Sequence, residues 1–409
     1  MRREHRGLPT LLLLFLAPGL AWADPQFQVS GLPTSDAVAI NSQGQVLAHD
    51  PSAPAGSYAR LDGYLPGPGQ FGLSSYQAIY TTGRSFNHTG QAAGQNAAGQ
   101  AVISQNGTNT VLGTLGGSSS ASTALNETGQ TVGWAQTASG SAHAFEYQNG
   151  KMIDLGTLSG GQFSASTDVN GVGVAVGYSD TGRAPYSGSG LPGVSHVGLA
   201  SFVQGAHAVE FTSKGVVDIG TLGGSSSIAH GLNDAGLIVG SSQTADGSVH
   251  AFVSFDGKMA DLGTLGFSTY TPKDVAVDTS EALAVNNVGS IVGESNGLAF
   301  LDQNGVMFDL NSLIPRNSGL LLRSAIGIND AGQILALGGP LGQAGYGSVY
   351  VLTPSATNQP GDAIPTSVPE PSPLILLTVG VVVGVLLSRR TLATVRPVKS
   401  WSVGLGRYL

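Results

Sequence analysis

Asn126-Glu127-Thr128-Gly129-Gln130-Thr131-Val132-Gly133 is followed by His143-Ala144-Phe145-Glu146-Tyr147, and then by Asp154-Leu155-Gly156-Thr157-Leu158. The three pieces read as parts of one small antiparallel sheet. Asn126–Gly129 is a turn signal, since Asn and Gly tolerate the positive φ that tight hairpins need. The segment around Phe145 alternates apolar and polar side chains, as a half-buried strand does. Asn149-Gly150 marks a second turn. The unit therefore divides into four strands, at Ala121–Leu125, Gln130–Ala135, Ala142–Tyr147 and Met152–Leu158. Four strands in about 40 to 50 residues is the size of one propeller blade.

Outward from this unit, the pattern Asn-x-x-Gly-x-x-x-(Gly/Ala) recurs seven times, starting at Asn41, Asn87, Asn126, Asn170, Asn233, Asn286 and Asn329. Ala48 and Ala336 replace the last Gly in the first and last copies. The apolar strand returns as His207-Ala208-Val209, His250-Ala251-Phe252 and Leu298-Ala299-Phe300. The closing strand returns at Asp218–Leu222 and Asp261–Leu265, with variants at Leu112–Gly117 and Asp309–Ile314. The pattern predicts an all-β chain, a β-propeller of seven four-stranded blades. The last unit has its apolar strand at Ser348–Leu352 but no closing strand. Phe27–Leu32 is placed to supply it, joining the two ends of the ring and removing an open edge. A β-solenoid, which needs polar caps, and two smaller β-domains are the competing architectures.

These motifs resemble the HAF family of extracellular repeats over about residues 27 to 353. That resemblance implies an extracellular location and little about activity. The ends agree with it. Arg2, Arg3 and Arg6, the apolar run Leu11–Leu16 and Ala21-Trp22-Ala23 form a signal peptide cut after Ala23. Residues 24–354 form the repeat domain and 355–367 a Pro/Ser/Thr linker. Then come Pro369-Glu370-Pro371, the apolar stretch Leu374–Leu387 and Arg389-Arg390, in a segment spanning 368–390 ahead of a short basic tail, 391–409. This order resembles the PEP-CTERM sorting signal of Gram-negative bacteria. It implies recognition by an exosortase-type membrane protease, a transiently inserted C-terminal helix, and release to the surface or matrix. Fourteen apolar residues make about 21 Å of helix, short of a hydrocarbon core of ~30 Å, which suits transient insertion.

Composition narrows the chemistry. Residues 24–371 hold nine basic and 24 acidic side chains, a net charge of about −15. Such a surface excludes nucleic acid, whose phosphates need basic clusters. Cysteine is absent, so packing and backbone pairing hold the fold. No nucleophile elbow, Walker loop or EF-hand occurs. Leu115-Gly116-Gly117-Ser118 reads as a turn with no helix behind it to cradle phosphate.

Two units are longer than the rest. The extra material is Tyr178–Gly205 and Phe267–Val285. With strands alternating throughout, both insertions emerge on one face, where binding residues on a rigid scaffold usually lie. The candidate ligand-binding residues there are Tyr178, Tyr186, His196, Tyr270, Asp274 and Asp278, with Phe202 beside them. His143, His207 and His250 share one repeat position, but the other copies lack it and no carboxylate partner is visible, so no metal is expected. Asp154, Asp218, Asp261 and Asp309 recur as turn acceptors of backbone N–H groups. The repeat shows no singular pair of carboxylates of the kind a glycosidase requires, and no cofactor is implied. The expectation is a non-enzymatic surface or matrix component binding exopolysaccharide, with a polysaccharide hydrolase or lyase as the alternative.

Overall fold

Each Asn-x-x-Gly turn sends the chain back along its own strand, and seven such steps build a ring of small sheets. The computed structural model describes residues 26–355 except 33–36, 50–57, 63–64, 72–84, 97, 107, 183–204, 267–277 and 343–346. Strand β1 (Phe27–Gly31) precedes the repeats. Blade 1 holds β2 (Ala37–Ile40), β3 (Val46–His49), β4 (Tyr58–Asp62) and β5 (Leu65–Phe71). Blade 2 holds β6 (Gln91–Gln95), β7 (Ala101–Gln105) and β8 (Thr108–Gly113). Blade 3 holds β9 (Gly116–Leu125), β10 (Thr131–Thr137), β11 (Ala142–Gln148) and β12 (Lys151–Gly156). Blade 4 holds β13 (Ser164–Val169), β14 (Ala175–Asp180), β15 (Ala206–Thr212) and β16 (Gly215–Gly220). Blade 5 holds β17 (Gly223–Leu232), β18 (Ile238–Thr244), β19 (Val249–Phe255) and β20 (Lys258–Gly263). Blade 6 holds β21 (Ser280–Val285), β22 (Ile291–Ser295), β23 (Leu298–Gln303) and β24 (Val306–Asp309). Blade 7 holds β25 (Leu320–Ile328), β26 (Ile334–Pro340) and β27 (Ser348–Pro354), and β1 completes it.

The all-β propeller expected from the repeats is thus the fold, and β1 closes it as predicted. β1 pairs antiparallel with β27, Phe27 opposite Pro354 and Gly31 opposite Tyr350. Six sheets have four strands. In blade 2 the inner strand is reduced, among the described residues, to a single bridge between Phe86 and Ala92. The expected C-terminal helix, signal residues Ala21 and Ala23, and sorting residues Pro369, Glu370, Pro371, Arg389 and Arg390 lie outside the described residues. No helix among the described residues is long and apolar enough to cross a membrane.

The first strand of each four-stranded blade is innermost: β13 is buried along its whole length, while β16, the fourth, is largely exposed. Apolar clusters fill the seams between successive blades. Ala101 and Leu112 meet Ala135 and Phe145, Ala208 meets Phe252, Ala251 meets Phe300, and Ile40 and Val46 meet Ile326 and Val351 where the ring closes.

The repeat motif is a set of steric and hydrogen-bonding requirements. The first Gly of each copy has φ between 76° and 92°, from Gly332 to Gly173, which a side chain would strain. The second sits opposite a bulge in the inner strand. A Cβ at Gly240 would lie 2.0 Å from the Ile228 carbonyl oxygen and 2.7 Å from the Phe252 ring. Phe145, Phe252 and Phe300 lie directly across from Gly133, Gly240 and Gly293 and are fully buried. Aromatic and glycine therefore recur together because the ring fills the space that the missing side chain leaves.

The Asn itself joins the blades. Its Oδ1 accepts the N–H four residues on, as Gln45 gives to Asn41, and its Nδ2 donates to the carbonyl of the next blade's Asn. The chain of donors runs Asn41, Asn87, Asn126, Asn170, Asn233, Asn286, Asn329 and back to Asn41, at 3.0 to 3.2 Å. All seven links are buried. A second stitch ties inner strands to the preceding blade: Ser227 Oγ accepts from Ala208 N–H (2.8 Å) and donates to Gly220 carbonyl (2.5 Å). Ser120, Ser164 and Ser280 repeat it.

Candidate functional site

The Asn turns occupy one pole of the ring. The connections between second and third strands, and from one blade to the next, reach the other. The two added connections lie between β14 and β15 and between β20 and β21, at that pole; the second is shorter than the Phe267–Val285 read from the sequence, because Ser280–Val285 is the inner strand β21 itself. This agrees with the parity expectation. Tyr186, His196, Phe202, Tyr270 and Asp274 lie outside the described residues.

Tyr178 requires a correction. It belongs to β14, pairs with Ala165 and Ala208, and is 2% exposed among Phe163, Ala206 and Ile228. The strand runs on to Asp180, whose Oδ1 accepts from the N–H groups of Gln162 and Phe163 at 2.7 and 2.8 Å, so the added connection starts after it. Asp278 is part-buried. It accepts from Thr264 Oγ1 at 2.7 Å and from Asn296 Nδ2, and Asn296 Oδ1 in turn accepts Thr279 N–H at 2.8 Å. Asp278 therefore pins the start of β21 to the β22–β23 turn, a positioning role at the pole where the candidate site was expected.

The recurring histidines also need correction, because each has a carboxylate partner. Nδ1 of His143, His207 and His250 lies 2.8 to 2.9 Å from Asp154, Asp218 and Asp261 respectively, always 11 residues on. The same aspartates accept N–H from Gly156, Gly220 and Gly263, and Asp309 accepts from Asn311, which is the turn role read from the sequence. The pairs line the outer strands of three successive blades. Among the described residues no group of three or more His, Cys, Asp or Glu side chains gathers to hold a metal ion. Gly116–Ser118, read as a turn, is the start of β9.

The singular carboxylate pair that the repeat seemed to lack is in blade 6. Glu281 on inner strand β21 stands directly opposite Glu294 on β22. The equivalent pairs are Ala121 with Trp134, Ala165 with Tyr178, Ile228 with Ser241, and Ser324 with Leu337. Elsewhere this layer packs; Trp134, Ala165, Tyr178 and Ile228 form one apolar cluster. Both glutamates keep partial exposure between buried neighbours Ser280, Ala282, Gly293 and Ser295. Burial pushes the Glu281 carboxyl up to about 8, and the Glu294 charge beside it acts in the same direction. At neutral pH Glu281 therefore keeps its proton, as a general acid must. Nearby His230 is driven to about 4 by burial, is neutral at that pH, and lies 3.0 Å from Ser241 Oγ through Nε2.

Among solved structures the chain is similar to a gluconolactonase from Xanthomonas campestris, at 12% identity and a TM-score of 0.40, over 81% of this chain and 99% of that one. No family model matches the chain, and no curated protein matches it significantly.

Proposed function

We propose that this chain is an exported surface or matrix protein whose propeller binds extracellular polysaccharide through the pole opposite the Asn turns. The reading is supported above all by the gathering of departures from the repeat at that pole: both inserted connections and the Glu281–Glu294 pair. The leader, the sorting segment and the low basic content support export and argue against nucleic acid. An exosortase-type protease acting at Pro369-Glu370-Pro371 is part of the same proposal. The test is a pull-down of the protein with exopolysaccharide from a producing bacterium, scoring retention and release of reducing sugar. Retention without release is expected; no retention overturns the binding reading.

One observation favours a second reading, a polysaccharide hydrolase or lyase. A carboxyl that keeps its proton at neutral pH can serve as a general acid, and Glu281, directly opposite Glu294, is such a group. Release of reducing sugar that is lost in E281Q and in E294Q would install this reading in place of the first.

A further inference from the structure

We infer that β8, the outer strand of blade 2, is the edge through which two copies of this chain pair. The inference goes beyond the polysaccharide reading and does not depend on it.

Each blade ends in an outer strand whose far side has no partner within its own sheet, and an unguarded edge of this kind adds strands from other chains. Six blades guard theirs. β12, β16, β20 and β24 carry Asp154, Asp218, Asp261 and Asp309. Lys151, Lys214 and Lys258 stand at the start of the first three or just before it. β5 contains Pro66 and Pro68, which have no N–H to offer a neighbour. β1 is covered: Phe27 N–H donates to the Leu313 carbonyl at 3.1 Å, and Phe27 packs with Leu310 and Ile314.

β8 has none of these devices. It reads Thr108-Asn109-Thr110-Val111-Leu112-Gly113, without a charge or a proline. Val111 lies opposite Val102, where Asp154, Asp218, Asp261 and Asp309 lie opposite Phe145, Val209, Phe252 and Phe300. It is 48% exposed. Thr108 to Val111 are exposed on both faces of the strand, whereas the second residue of β12, β16 and β20 is half-buried. Thr108, Thr110 and Val111 are β-branched, the type that suits strand pairing. Blade 2 is also the blade whose sheet has three strands among the described residues.

Charge selects the occupant. A body near −15 repels its own copies, and pairing through β12, β16, β20 or β24 would bring carboxylates together across the new seam. β8 meets a second β8 with no charge on either side. It offers a foreign segment no charge to recognise, while a second copy brings a strand of matching length and neutrality. Antiparallel pairing about a two-fold axis at Thr110 sets Thr110 against Thr110, and Asn109 against Val111, of the second copy. It joins two three-stranded sheets into one of six strands through about six backbone hydrogen bonds.

The test is sedimentation velocity of wild type and V111D. Wild type is expected to pass from monomer to dimer between about 1 and about 100 µM, the range of a small interface. V111D restores the carboxylate that four other blades carry at this position, so the ring keeps its melting temperature while self-association weakens about tenfold or more. T110C and I153C give a second readout, since the chain has no cysteine of its own. A disulfide-linked dimer is expected from T110C and none from I153C, the equivalent position in blade 3. A dimer that V111D leaves intact, or equal cross-linking from T110C and I153C, would overturn the inference. So would a wild type that stays monomeric at about 100 µM, which would leave the edge to a foreign segment.

Discussion

The two poles of the ring obey different rules. At one, seven asparagines make seven equivalent links, and each accepts the same N–H four residues on or forms the same closed turn. At the other, connections differ in length between blades and one blade replaces a packing pair with two glutamates. The difference teaches that regularity resides where closure depends on it. A ring fails if one link is the wrong length, so the Asn pole must repeat. The opposite pole carries no ring of bonds among the described residues and is at liberty to vary.

The largest expected effect breaks the layer that both poles share. G240A drives a Cβ into the Ile228 carbonyl and the Phe252 ring, and overpacking of this kind removes about 3 kcal/mol or more, read as a lower urea midpoint. Next comes the Asn pole. N233A strips the Asn286 carbonyl of a donor and the Ala235 and Leu237 N–H groups of an acceptor, a loss of about 2–4 kcal/mol. N126A should cost about the same within error, because the pole treats its blades alike; a twofold disparity would break the comparison.

At the variable pole the effect depends on pH. Glu281 keeps its proton up to about 8 when folded, against an ordinary value of 4.5. Between those values the folded chain holds more protons than the unfolded one, so its stability falls as pH rises through that window and levels off above it. E281Q abolishes this decline: its melting temperature exceeds that of wild type by a margin that grows from pH 5 to pH 8, and the margin vanishes near pH 4. A margin independent of pH would show that Glu281 titrates normally. The smallest effect belongs to the outer rim. The His207–Asp218 pair has side chains 19% and 43% exposed, and D218N should shift stability by less than about 1 kcal/mol.

The ring was legible in the sequence because Asn, Gly and Phe are fixed by local rules that recur at constant spacing. Turn chemistry demanded the first Gly, carbonyl contact the second, and the gap over that second Gly the aromatic ring. Closure by Phe27–Gly31 was legible too, since the last unit lacked a strand that the first residues could supply. The blade 6 pair was missed because it lies in no motif. Its signal is present only when copies are aligned on the Asn: five residues before Asn286 and eight after it stand glutamates, where the copies at Asn126, Asn170, Asn233 and Asn329 hold Ala, Ile or Ser and Trp, Tyr, Ser or Leu, and those at Asn41 and Asn87 hold Asp36 with His49 and Thr82 with Gln95. The His–Asp pairing was missed although its 11-residue spacing is constant, because a carboxylate partner was sought beside each histidine and not one strand away. Tyr178 was misplaced because the insertion was measured from Gly177, whereas the strand continues until Asp180 has capped the preceding turn.

Because β1 lies beside β27, with Phe27 opposite Pro354, the two ends of the described chain stand one strand spacing apart, about 5 Å. The Asn links run in a single rotational sense with no first or last member. Where the polypeptide is cut is therefore a separate matter from how the ring is held. A circular permutant, with 354 joined to 27 by a short glycine bridge and new termini opened between Asp256 and Gly257, where β19 turns into β20, should assemble the same seven blades. It would carry any fused partner on blade 5 in place of blade 7.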